Sequence, residues 1–156
     1  MAGIDRPRRR AWQAVFGAII LTTPLQGRTV EPTPVKISLA VTAGGPRDVA
    51  ADVTFRNVSM RDLWILKAPP GFHLSLDGRE VDYIGPMVKR PAYTLDDYER
   101  LAPGHATQRH KQIADDFEFV AGTHVYELRT AGGYYDPVSK ANFAAPSVRA
   151  TFTLAR

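Results

Sequence analysis

The sequence predicts an all-β domain, an antiparallel β-sandwich of seven to eight strands with an immunoglobulin-like pattern, and three observations predict it. Between Val35 and Leu154 short runs alternate apolar and polar residues with a period of two. Turn signals separate these runs at a spacing of roughly ten residues, as in sandwiches. The 156 residues are 44% hydrophobic and 23% charged, and none is cysteine. That composition suits one globular domain stabilised by an apolar core, without disulfides or a thiolate zinc site.

Val35, Ile37, Leu39 and Val41 alternate with Lys36, Ser38, Ala40 and Thr42, and Gly44-Gly45-Pro46 ends the strand. Val49, Ala51, Val53 and Phe55 then share a face opposite Asp52, Thr54 and Arg56, up to Asn57. Leu63 to Leu66 is short and apolar on both faces, which predicts a central strand covered on each side or lying near a sheet corner. Pro69-Pro70-Gly71 turns the chain into Phe72, Leu74 and Leu76. Asp77-Gly78, which tolerates positive φ, predicts a type I′ hairpin returning through Val81 and Tyr83.

Residues 85–104 hold three prolines, Lys89-Arg90 and Asp96-Asp97-Tyr98-Glu99, and read as a loop in which Thr94, three residues before Asp97, caps a short helical turn. After Pro103-Gly104, residues 105–113 read as a polar edge strand, and Phe117 and Phe119 as aromatics sealing one end of the core. His124–Thr130 reads as a strand, Gly132–Pro137 as a loop, and Val148, Ala150, Phe152 and Leu154 as the inner face of a last strand.

Ahead of this domain, expected at 35–156, the segment 1–27 reads as a signal peptide and 28–34, with two prolines, as a linker. The basic cluster Arg6–Arg10 precedes the apolar run Ala14–Leu21, as in secretory signals; Gly17 and the missing polar face argue against an amphipathic helix. Gly27 offers a small residue for cleavage, although Leu25 fits the A-x-A pattern poorly, which leaves an uncleaved anchor as the alternative. Arg9-Arg10 is a weak match to a twin-arginine signal. The expected location is exported, periplasmic or secreted, with no stable membrane span after cleavage.

The net charge of +4 is concentrated in that leader: residues 1–27 carry +3, and the other 129 residues hold 16 basic and 15 acidic side chains. A domain so balanced lacks the single-sign field of a nucleic-acid binder.

An ordered set of short motifs carries a resemblance. Phe55-Arg56-Asn57, Leu66-Lys67, Asp77-Gly-Arg-Glu-Val-Asp-Tyr83, Gly85-Pro-Met-Val-Lys-Arg90, Asp97-Tyr98 and Leu101-Ala-Pro-Gly104 follow one another across residues 35–130. In this order they resemble the N-terminal β-sandwich domain that precedes the catalytic domain in secreted zinc peptidases of the deuterolysin (aspzincin) type. That domain is a pro-region, which implies a binding module acting as peptidase inhibitor or folding helper, with a deuterolysin-type zinc peptidase as its protein partner. The H-E-x-x-H pattern of the peptidase half does not occur in this sequence.

The candidate chemistry is sparse. His73, His105, His110 and His124 have no metal-ligand spacing, and His105 and His110, five apart on a strand, point to opposite faces. Ser38, Ser59, Ser75, Ser139 and Ser147 lie in no nucleophile-elbow context, although distant residues can still assemble a triad. Asp96-Asp97 with Glu99, and Asp115-Asp116, read as turn carboxylates before paired acids or a calcium site. The expectation is therefore a non-enzymatic protein without cofactors or metal. Its candidate binding residues are Tyr83, Lys89, Arg90, Tyr93, Asp97 and Tyr98, because Tyr and Arg dominate interface energies. Tyr134-Tyr135 is a second candidate. The competing reading is a structural or cell-envelope display module in which these tyrosines only pack the loop and no peptidase partner exists.

Overall fold

The computed structural model describes residues 33–87, 89, 91–120 and 122–154. The expected signal peptide, residues 28–32 of the expected linker, and Arg90 lie outside the described residues.

The described residues form eleven strands and no α-helix: β1 (Val35–Gly45), β2 (Asp48–Asn57), β3 (Leu63–Leu66), β4 (Phe72–Leu76), β5 (Arg79–Val81), β6 (Tyr98–Leu101), β7 (Ala106–Gln112), β8 (His124–Thr130), β9 (Gly133–Asp136), β10 (Ala141–Ala144) and β11 (Val148–Leu154). Three antiparallel sheets result, ordered β1-β2-β7, β10-β9-β3-β6 and β11-β8-β4-β5. The all-β expectation holds. The strand number does not, because β6 and β9 fall in segments read as loops and β10 in a stretch to which the sequence pattern assigns no element. Each is only four residues long, too short for alternation to stand out, and each is held by its neighbours in the sheet.

The long strands β1 and β2 span both halves of the core. Their register sets Ile37 opposite Phe55, Leu39 opposite Val53 and Val41 opposite Ala51, so one face carries a continuous apolar stripe. The Val35 end of that stripe packs with Leu63, Ile65, Leu101 and Tyr134 of the β10-β9-β3-β6 sheet. The Val49 end packs with Leu74, Tyr126, Leu128 and Leu154 of the β11-β8-β4-β5 sheet, where Phe117 and Phe119 are buried as expected. Leu39 and Phe72 touch both clusters.

The turns follow from their residues. Asp77 and Gly78 take φ of 48° and 80°, the paired positive values of a type I′ turn, and Leu76 faces Arg79 across it. Pro103-Gly104, with φ of 75° at the glycine and a His105 N–H bond to the Ala102 carbonyl, forms a type II turn.

Asn57, fully buried where β2 ends, uses its whole side-chain hydrogen-bonding capacity. Its amide donates to the carbonyls of Arg61 (2.7 Å) and Leu101 (2.9 Å), and its oxygen accepts from the Ser59 N–H (2.9 Å) and hydroxyl (2.7 Å). Beside it Arg61 reaches the buried Asp136 carboxylate at 2.9 Å, which also accepts from Val138 N–H and Ser139 Oγ. These bonds tie the 58–62 loop, the end of β6 and the β9–β10 connection into one end of the sandwich, here called the base. Pro34 joins the same end through its carbonyl, which accepts from Val58 N–H at 2.9 Å.

Candidate functional site: an aromatic sheet face

The β10-β9-β3-β6 sheet buries Leu63, Ile65, Leu101 and Tyr134 on its inner face. Because side chains alternate, the outer face receives Trp64, Leu66, Tyr98, Arg100, Tyr135 and Asn142. The registers align Asn142 with Tyr135, Tyr135 with Trp64 and Trp64 with Arg100, one row across four strands. Trp64 and Leu66 are only partly buried. Of the two readings of β3, cover on each side or a place near a sheet corner, the first holds only in part: β3 is central within its sheet, but its second face is only partly covered.

Tyr98 is the hub of this face. Its ring lies 5.9 Å from that of Tyr135 and 6.4 Å, edge-on, from that of Tyr93, and its hydroxyl donates to Asn142 Oδ1 at 3.0 Å. Tyr93, half exposed, also walls a small cleft with Ile65, Leu66, Pro69, Pro70 and Gly132. Gly132 is required there, since a Cβ would sit 2.5 Å from Phe55 Cε1.

The 3-10 turn Leu95–Asp97 holds Tyr93 and Tyr98 on either side of it. Asp97 Oδ2 accepts from the Thr94 N–H (2.7 Å) and hydroxyl (3.1 Å), and the Asp97 N–H donates to the Thr94 carbonyl (3.1 Å), which realises the expected cap. Lys67 fastens the turn to β3, its N–H donating to the Asp97 carbonyl (2.8 Å) and its Nζ to the Asp96 carbonyl (2.6 Å). Beneath β6, Glu99 meets the largely buried Arg109 of β7 at 2.6 Å, and Arg109 Nε donates to the Leu66 carbonyl.

The sequence-predicted residues thus divide. Tyr93, Asp97 and Tyr98 come together, with Asp97 positioning the turn. Tyr83 belongs elsewhere: it bridges Phe117, packs edge-on against that ring at 5.7 Å, and shares an open depression with Pro86, Met87 and Lys89. Nearby, Ile84 N–H donates to the carbonyl of Asp116, whose carboxylate pairs with Lys111 at 3.2 Å. Among the described residues, the ring contacts of Tyr83 run to Phe117, and those of Tyr93 and Tyr98 to each other and to Tyr135. Sequence reasoning missed Trp64, whose outward direction follows from alternation with the buried Leu63 and Ile65. Of the Tyr134-Tyr135 pair, register turns Tyr134 into the core and Tyr135 outward.

The outer face of the β1-β2-β7 sheet differs. Asp52 and His110 sit opposite one another, 2.9 Å apart, and the hydrogen bond from His110 holds the Asp52 carboxyl below the usual carboxylate range. Among the described residues no three His, Asp or Glu side chains gather to hold a metal ion. No serine or threonine hydroxyl among them hydrogen-bonds a histidine.

Fold and site together define an all-β sandwich with an aromatic outer sheet face. The chain matches no protein-family model and no curated protein.

Proposed function

We propose that this chain is an exported, non-catalytic binding module that engages a protein through the outer face of its β10-β9-β3-β6 sheet, and that the partner is a deuterolysin-type zinc peptidase held inactive by the contact. One observation carries the surface: Tyr93, Tyr98 and Tyr135 form a contiguous ring cluster on a solvent face beside Trp64. Tyr and Trp give large contact areas at low conformational cost and are enriched among residues that dominate binding energies. The ends of the row are polar: Asn142 lies at one, and Arg100, paired with Asp62 at 2.6 Å, at the other, the rim expected around such a patch. The resemblance of the motif series between Phe55 and Gly104 to a peptidase pro-region supports the partner.

The test is titration of the purified protein into an assay of a deuterolysin-type peptidase. Inhibition saturating at one equivalent, and lost in Tyr98→Ala, is the expected result. A peptidase neither bound nor inhibited at any ratio contradicts the reading.

A further inference from the structure

We propose that the base of the sandwich is a membrane-contacting end, which lays its loop tips on an anionic lipid surface. At this end three apolar side chains stand in solvent: Met60 is 95%, Val138 73% and Val58 53% exposed. They stand on adjoining loops, because the Arg61–Asp136 ion pair joins the loop of Val58 and Met60 to the loop of Val138. Isolated exposed apolar residues are ordinary on protein surfaces; three on adjoining loop tips at one end form a patch. The carboxylates beneath them, Asp136 and Asp62, are each neutralised by an arginine, Arg61 and Arg100.

The cations around the patch are unmatched. Lys36 and Arg56 stand directly opposite each other on exposed positions of β1 and β2, where like charges repel, and Lys140 projects from the β9–β10 connection. None of the three makes an ion pair among the described residues. An anionic headgroup layer relieves that repulsion while the tips enter the interface, the pairing of apolar insertion with electrostatic attraction that peripheral proteins use.

The position of the base in the chain supplies the second argument. The described structure begins at this end, with Pro34 bonded to Val58, and 32 residues precede it that include the Arg6–Arg10 cluster and the apolar run Ala14–Leu21. The chain thus enters the described sandwich at the base. The aromatic face is oriented for this arrangement: Leu63 lies at the base end of β3, whereas Tyr98 pairs with Leu66 at the other end. Contact at the base therefore leaves Tyr93 and Tyr98 accessible.

The chain has no cysteine, so a single introduced thiol can be labelled uniquely. The full chain is prepared as Met60→Cys, Val138→Cys, Met87→Cys and Val125→Cys, each carrying an environment-sensitive fluorophore. Met87 and Val125 are exposed controls away from the base. With vesicles containing phosphatidylserine, labels at 60 and 138 should blue-shift and be quenched by nitroxide lipids, while those at 87 and 125 remain water-like. A tether formed by the N-terminal segment alone gives no such selectivity. Lys36→Gln or Lys140→Gln should each lower the partition measured at label 60 roughly fivefold, the loss expected for one interfacial cation. Unshifted labels at 60 and 138, equal shifts at all four sites, or equal shifts on pure phosphatidylcholine vesicles would overturn the proposal.

Discussion

Two solvent faces of the same sandwich obey one pleating rule and carry different chemistry. Across β1-β2-β7 the outward rows are Ser38, Thr54, Gln108 and Ala40, Asp52, His110. Across β10-β9-β3-β6 the corresponding row is Asn142, Tyr135, Trp64, Arg100, with Tyr98 and Tyr93 beside it. Polar and charged residues suffice to keep a strand's outer face in water, and the first sheet, which also carries Lys36 and Arg56, uses them. Aromatic rings on the second bring an apolar area that the core does not need, since Leu63, Ile65 and Tyr134 already fill the inner side. The difference separates what the fold requires from what a surface is kept for.

That comparison can be broken from beneath. Phe55 lies under the aromatic sheet and against Gly132, so Phe55→Ala should cost about 3–5 kcal/mol in denaturant unfolding and disorder the aromatic face with it. Asn57→Ala, which strands the Leu101 and Arg61 carbonyls at the base, should cost about 2–3 kcal/mol by the same measurement. The faces themselves should then part company. Tyr98→Ala should cost about 1 kcal/mol through its ring contacts and its bond to Asn142, and it should abolish partner binding in a titration. Thr54→Ala on the polar face should change stability by less than about 0.5 kcal/mol and leave binding unaltered.

The smallest effect concerns acid. The folded-state pKa of Asp52 lies below its unfolded value because His110 bonds to the carboxylate, so the pair's stabilisation is present above the unfolded value. It is lost as pH falls through the lowered pKa. Because the pair is on the surface the effect is slight. Difference unfolding curves of wild type and Asp52→Asn should converge in strong acid and separate slightly toward neutrality; separation that grows with acidity would contradict the assignment.

Much of this architecture was legible in the sequence, and the losses have physical causes. Alternation located β1, β2, β4 and β11, and Asp77-Gly78 located the hairpin, because both signals are local. The four-residue strands β6 and β9 were hidden because their pairing is decided by distant partners such as Leu66 for Tyr98 and Ile65 for Tyr134, and β10 because four residues are too few for alternation to stand out. Asn57 read only as a strand end, since nothing near it announces Leu101, 44 residues away, as its hydrogen-bond acceptor. At the candidate site Tyr93, Asp97 and Tyr98 were found as a loop cluster, and the Thr94–Asp97 cap that positions them was found with them. Trp64 and Tyr135 joined the site only once register fixed which side of the sheet each faces.

The most direct measurement is a calorimetric titration of a deuterolysin-type peptidase with three forms of the protein: wild type, Tyr98→Ala/Tyr135→Ala and Thr54→Ala/Gln108→Ala. The account predicts tight binding by the first and third, and a loss of about a hundredfold or more in the second with its fold retained by circular dichroism. Equal affinity of all three forms would contradict the assignment of the aromatic face as the binding surface.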